Sequence, residues 1–162
     1  MPPDSHYLSA AIGWLELGNC QESNAELKGI GEAFRTHPDV LEVRCKVCEM
    51  SGQWDGALEA AQSLTQLCPE RVFGWVHTSL AFNALGRFQE AFCASLPVVD
   101  RFPNDWILRY NLACYACKLG NFREGWEWLE KAFQIGDRKR LKAVALADHD
   151  LEGLWQQIVA LY

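Results

Sequence analysis

Four glycines recur at intervals of 34 residues, and this period constrains the fold of the 162-residue chain more than any other feature. The glycines are Gly18, Gly52, Gly86 and Gly120. Seven residues before them stands a column of small side chains, Ala11, Cys45, Ser79 and Ala113. Two residues after them come Cys20, Trp54, Phe88 and Phe122. A repeat of this length predicts similar supersecondary units stacked on one another.

Each column has a physical reason in a helical hairpin. Glycine supplies the left-handed backbone that ends a helix, and facing small residues let two antiparallel helices approach closely. No stretch shows sustained strand alternation, so an all-α protein is predicted. The expected helix pairs span 5–17 and 20–36, 39–51 and 54–67, 70–85 and 88–101, and 105–119 and 122–135, followed by two short helices at 138–147 and 150–161.

The third and fourth units carry further markers in a fixed order. These are Trp75, Gly86-Arg87-Phe88-Gln89-Glu90-Ala91 and Pro103, then Leu112-Ala113, Gly120-Asn121-Phe122-Arg123-Glu124 and Ala132. The chain thereby resembles the tetratricopeptide repeat family. The resemblance implies a right-handed superhelical solenoid of about four antiparallel hairpins over residues 4–137. The first repeat is degenerate, because Cys20 replaces the aromatic residue and its proline comes late, at Pro38. Residues 138–162 are expected to form C-terminal capping helices over the last repeat.

Charge and cysteine content limit the classes of partner and the cellular compartment that are expected. The formal net charge is −6 and the isoelectric point is about 5.2, so nucleic acid and anionic membranes are not expected to bind. The N-terminus lacks the basic start and apolar run of a signal peptide. Seven cysteines, an odd number, are then predicted to be reduced thiols in the cytoplasm.

Two Cys-x-x-Cys pairs, at Cys45 and Cys48 and at Cys114 and Cys117, invite a metal or redox interpretation. Both lie within predicted first helices two repeats apart, whereas a zinc site needs converging ligands. Packing is therefore the preferred interpretation, and no metal or cofactor is expected. Asp148 or Asp150 is expected to cap a helix. With no nucleophile–base pair and no phosphate-binding loop, the chain is not expected to be an enzyme.

The family resemblance implies that first helices line a concave groove. Some family members bind a C-terminal carboxylate there with Lys, Arg and Asn; Asn111 fits that pattern, but Val76 and Tyr110 replace the lysine-type ligands. The groove is expected to bind a peptide through an acidic first half and an apolar second half. The first-helix positions outside the packing columns are Leu8, Ile12, Leu15, Asp39, Glu42, Lys46, Glu49, Phe73, Val76, His77, Leu80, Asn83, Tyr110, Asn111, Cys114 and Cys117.

The preferred functional hypothesis is a protein–protein interaction module, or adaptor, whose groove binds a peptide or protein segment. A second hypothesis is a homo-oligomeric or fixed assembly subunit that works through its convex face and cap. A third is a small secretion-type chaperone. The main groove anchors are expected around Phe73, Val76, Leu80 and Tyr110, which fall at helical spacing and in matching repeat register.

Overall fold

The computed structural model describes residues 4–161, which contain ten α-helices and no strand. These residues form two compact units that divide between Leu85 and Gly86. No helix among them is both long enough and apolar enough to span a bilayer. The helices are α1 Ser5–Glu16, α2 Cys20–Gly29, α3 Pro38–Met50, α4 Trp54–Leu67, α5 Val72–Ala84, α6 Phe88–Ser95, α7 Trp106–Lys118, α8 Phe122–Ile135, α9 Arg138–Ala147 and α10 Trp155–Ala160.

The repeated glycines end the first helix of each hairpin, as predicted. Their φ angles are +74° at Gly18, +69° at Gly52, +75° at Gly86 and +80° at Gly120, in the left-handed region that suits glycine. After Gly18, Gly52 and Gly120 the next residue donates its backbone N–H back across the turn, for example from Gln53 to the Cys48 carbonyl at 2.8 Å. This bond satisfies a carbonyl at the helix end.

The column of small residues lies where paired helices touch. Ala11, Cys45, Ser79 and Ala113 are all fully buried. In the first hairpin the Ser23 hydroxyl donates a hydrogen bond of 2.7 Å to the Ala11 carbonyl, which links α2 directly to the α1 backbone. Unit 1 contains α1 to α5, with contacts between sequential helices and between α1 and α3 and α3 and α5. The predicted pairing of α1 with α2 and of α3 with α4 is therefore confirmed, as is the pairing of α7 with α8 in unit 2.

Two second helices are shorter than predicted. Helix α2 ends at Gly29, and a 3-10 turn at Glu32–Phe34 occupies part of the expected helix, because Gly29 and Gly31 weaken helix propensity there. Helix α6 ends at Ser95 and continues as a 3-10 turn at Leu96–Val98. Pro97 lies in that turn and lacks the N–H that a continuous α-helix requires, so this interruption follows from its chemistry.

Unit 2 ends differently from the prediction of a single helix over 150–161. A 3-10 turn at His149–Leu154 precedes α10 and packs against α7, α8, α9 and α10. Its residues Leu151 and Leu154 are buried. The Asp148 side chain accepts a hydrogen bond from the Asp150 backbone N–H at 3.0 Å, which confirms the predicted capping role of Asp148.

Candidate interaction surface

Ionic contacts join α3 to the start of α5 within unit 1. Arg71, immediately before α5, extends its Nη1 to Asp39 Oδ1 at 2.9 Å and to Glu42 Oε1 at 3.1 Å. Arg71 was not among the predicted groove positions, although its place one residue before a first helix could have indicated a contact with α3. Because Arg71 neutralises part of the charge on Asp39 and Glu42, this side of α3 is less acidic than the sequence suggested.

Four of the predicted groove residues meet further along the same two helices. The Phe73 and His77 rings stack with their centroids 3.8 Å apart. Lys46 Nζ lies 5.4 Å from the centroid of Phe73. His77 Nδ1 lies 2.7 Å from Glu49 Oε1. We call the partly exposed surface made by Asp39, Glu42, Lys46, Glu49, Arg71, Phe73 and His77 the α3–α5 face.

The expectation that Val76 and Tyr110 are free groove anchors is wrong. Each is only 7 % exposed. Asn111 and Cys114 are buried as well, so these four side chains contribute to the interior of their units. Leu80 and Asn83 are half-buried on α5. The large side chains Val76 and Tyr110 therefore pack inside the protein and are not displayed on a groove.

Within unit 2, the C-terminal segment covers the predicted groove side of α7. The Tyr110 hydroxyl donates to Asp148 Oδ2 at 2.8 Å, and Cys114 Sγ lies 3.7 Å from the same oxygen. Lys118 pairs with Asp150 at 2.9 Å. Burial, with the nearby Cys114 and Asp148, raises the pKa of Tyr110 well above its usual range, so its hydroxyl stays protonated as a donor. Asp148 therefore caps its own turn and also binds α7.

The Cys-x-x-Cys pairs lie inside α3 and α7, as predicted. Cys45, Cys114 and Cys117 are buried free thiols, and Cys48 is half-buried. Burial raises the pKa of each of these thiols, to about 11 for Cys117. Thiols with raised pKa values are protonated at neutral pH and are poor nucleophiles.

An open cavity of about 250 Å³ lies between α1 and the start of α3 in unit 1. Two of its lining residues, Leu8 and Asp39, were among the predicted groove positions. Ile30 and Phe34 join the wall because α2 ends early and the chain turns back toward α3. The full lining comprises Asp4, Ser5, Leu8, Ile30, Phe34, His37, Asp39 and Val40. We call it the α1–α3 cavity.

The hairpins and their left-handed glycine turns define an α-helical repeat protein. No protein-family model matches the sequence, and no curated protein matches it either. Solved structures do match the backbone. TTC0263, a thermophilic TPR protein of Thermus thermophilus, superposes with a TM-score of 0.70 at 17 % identity, over 98 % of this chain and 100 % of that chain.

A second match is MamA from residue 41 to its end, from Desulfovibrio magneticus RS-1. It superposes with a TM-score of 0.77 at 15 % identity, over 98 % of this chain and 94 % of that chain. At such identities the likeness concerns the fold. The chain has the all-α, tetratricopeptide-type solenoid fold that its 34-residue period predicts.

Proposed function

We propose that the protein is an interaction module that binds an extended peptide segment of another protein. An apolar side chain of the segment enters the α1–α3 cavity, and the flanking residues lie along the α3–α5 face. The single observation that carries this proposal is the cavity, which is open and is lined by the buried Ile30 and Val40 together with the more exposed Asp4 and Asp39.

The cavity suits one anchor residue rather than a whole small-molecule ligand. Ligand pockets usually measure about 300–1,000 Å³, and this cavity is smaller, at about 250 Å³. Its apolar walls, Leu8, Ile30, Phe34 and Val40, favour burial of an aliphatic or aromatic side chain. A peptide anchored by one buried side chain gains most of its binding energy there.

Acidic groups at the rim favour a basic residue beside that anchor. Asp4 and Asp39 both line the cavity, and the chain as a whole carries a formal charge of −6. Asp39 is paired with Arg71, so an incoming Lys or Arg would compete for a carboxylate that already accepts a cation. Complementary charge would speed association and select basic segments.

The α3–α5 face supplies a second set of contacts for the same segment. Lys46 is exposed, and Phe73, His77, Leu80 and Asn83 are half-buried. The buried Oδ1 of Asn83 has no hydrogen-bond partner among residues 4–161, which leaves it able to accept one. Val76 lies on the same helix α5, is buried, and would support this surface without touching the segment.

We also propose that residues 4–137 are the repeat array and that residues 138–162 form its cap. Support comes from the burial of Leu141, Leu151, Leu154 and Ile158, which places one apolar side of the C-terminal segment inside unit 2. A cap of this kind covers apolar surface that a following repeat would otherwise bury.

A charge-reversal pair tests the proposed site. Asp39 and Asp55 are both exposed acidic residues in the first turn of a helix, α3 and α4 respectively. Only Asp39 lines the cavity. Peptides that each carry one large apolar residue flanked by lysines are screened by fluorescence anisotropy at low salt. We expect Asp39→Lys to weaken the selected peptide about tenfold, or about 1.4 kcal/mol, whereas Asp55→Lys has no effect.

The site is refuted if Asp55→Lys weakens binding as much as Asp39→Lys, since the effect would then be that of net charge. The peptide-binding function is refuted if no apolar–basic peptide binds and light scattering instead finds a stable homodimer. That second result would favour the assembly-subunit hypothesis.

A further inference from the structure

Three side chains with metal-binding chemistry converge in unit 1. Cys45 and Glu49 are separated by one turn of α3, so they lie on the same side of that helix. His77 reaches them from α5. Cys45 Sγ lies 3.7 Å from Glu49 Oε1, and His77 Nδ1 lies 2.7 Å from the same oxygen. One ligand atom from each residue lies within 4.8 Å of the other two.

These distances are close to those of a tetrahedral zinc site. With bonds of about 2.3 Å to sulfur, 2.0 Å to nitrogen and 2.1 Å to oxygen, tetrahedral angles place S and O about 3.6 Å apart and N and O about 3.4 Å apart. The observed Sγ–Oε1 separation already agrees. The Nδ1–Oε1 pair needs to open by about 0.7 Å, as expected when a metal ion replaces the proton of a short hydrogen bond.

We propose that Cys45, Glu49 and His77 form a three-ligand site for a divalent transition-metal ion of the zinc class, with the fourth position left for water or for a group brought by a partner. Thiolate, imidazole and carboxylate are the ligand types that zinc takes in proteins. The thiolate and the carboxylate together neutralise the charge of the ion. Glu49 and His77 are not fully covered, with side-chain exposures of 16 % and 18 %, so an ion can reach the site from solvent.

Packing does not require a sulfur atom at position 45. The same column of the other repeats contains Ala11, Ser79 and Ala113, and all are fully buried like Cys45. Stacking on Phe73 holds the His77 ring in place, which is the supporting role that groups around a metal site usually play. Without a metal, burial and Glu49 raise the pKa of Cys45; a bound cation would reverse this by stabilising the thiolate.

The three residues form no local sequence motif, because His77 comes from a different helix and Cys45 falls in a Cys-x-x-Cys pair with Cys48. Cys48 is no part of the set and lies on the α4 side, where a Cβ placed on Gly56 would sit 3.1 Å from Cys48 Sγ. Cys48 therefore provides a matched control. The proposal does not rest on peptide binding by the α3–α5 face.

The test uses the reduced full-length chain and two metal ions. Co²⁺ is titrated while the thiolate-to-cobalt charge-transfer band is recorded, and Zn²⁺ is then added in competition. We expect one equivalent to bind with micromolar or tighter affinity. Cys45→Ala, Glu49→Gln and His77→Ala should each weaken binding about tenfold or more, and Cys48→Ala should leave it unchanged. Circular dichroism checks that each variant folds.

Absence of a charge-transfer band at millimolar Co²⁺ would overturn the proposal. So would a band that Cys48→Ala removes as completely as Cys45→Ala, because the ion would then occupy the Cys-x-x-Cys pair. Cys45→Ala recreates the alanine found in two other repeats, so loss of folding is not expected to obscure its result. If His77→Ala unfolds, Glu49→Gln still tests the site.

Discussion

Helices α3 and α7 occupy the same position in their repeats, yet their equivalent residues have different surroundings. The 34-residue period relates Glu42 to Tyr110, Lys46 to Cys114 and Glu49 to Cys117. On α3 these positions are partly or fully exposed. On α7 they are buried, and Tyr110 and Cys114 contact Asp148.

This contrast shows that repeat register fixes where a side chain points but does not fix what covers it. In unit 1 Glu42 forms an ion pair with Arg71, and Glu49 Oε1 lies 2.7 Å from His77 Nδ1 on α5. In unit 2 the chain returns after α9 as a 3-10 turn that packs on α7. A binding surface can therefore be proposed for α3 and α5. The corresponding side of α7 is covered by the C-terminal segment of the same chain.

The largest difference between the two regions should appear on truncating one leucine in each. Leu151 in the 3-10 turn is fully buried, so Leu151→Ala should lower the free energy of unfolding by about 2–4 kcal/mol. Leu80 on α5 is half-buried, and Leu80→Ala should cost about 1 kcal/mol. Urea denaturation followed by circular dichroism measures both. Equal losses would show that the C-terminal segment contributes no more to stability than the α5 surface does.

A smaller effect is expected from the hydrogen bond that joins α7 to the C-terminal segment. Tyr110→Phe removes the hydroxyl that donates to Asp148 Oδ2 and should cost about 1 kcal/mol. Asp148→Ala should cost more, since it also removes the cap of the 3-10 turn. A double-mutant cycle isolates the contact between the two side chains. A coupling energy of zero would mean that Asp148 acts on stability through its cap alone.

A further difference concerns Cys117 and the dependence of stability on pH. Burial raises the pKa of Cys117 from 9.0 to about 11. The stability that this thiol contributes is complete below about pH 9 and is lost as pH rises through about 11, because the unfolded chain releases the proton first. The urea midpoint should therefore fall across this range, and less so in Cys117→Ala. If the midpoint falls equally in both proteins, other titrating groups cause the loss of stability.

The rate of alkylation at neutral pH tests the burial of the same thiol. Cys93 is exposed and should react with iodoacetamide first, whereas Cys117 should react slowly. Leu151→Ala should speed the reaction at Cys117 selectively if the C-terminal segment is what protects it. Mass spectrometry of the digested protein assigns each modified thiol. If Cys117 still reacts slowly in Leu151→Ala, a segment other than the C-terminal one protects it from iodoacetamide.

Much of the fold could be predicted from the sequence, because its determinants are local. A glycine at φ near +75° ends each first helix, and a small residue marks each close helix contact. Pro97, which lies in the 3-10 turn that ends α6, is another local determinant of the backbone. The 3-10 turn at His149–Leu154 was not foreseen, since it depends on packing against α7 and α8, which lie far from it in sequence. The shortening of α2 was also missed, although Gly29 and Gly31 are visible in the sequence.

The candidate site was less accessible to sequence reasoning for the same physical reason. Lys46, Glu49, Phe73 and His77 do come together, but Val76 and Tyr110 are buried and Arg71 was overlooked. Exposure depends on which segment covers a helix, and ion pairs depend on side chains about 30 residues apart. Whether the remaining residues bind a peptide stays a prediction.

The glycine turns have a further consequence for how such a chain can change over evolutionary time. Each turn is specified by one left-handed residue and a few backbone hydrogen bonds, so most positions in a repeat are free to accept mutations without altering the path of the backbone. Chains of low sequence identity can then share this backbone, as the matched structures at 17 % and 15 % identity do. Each such chain can carry different chemistry at the positions that the turns leave unconstrained.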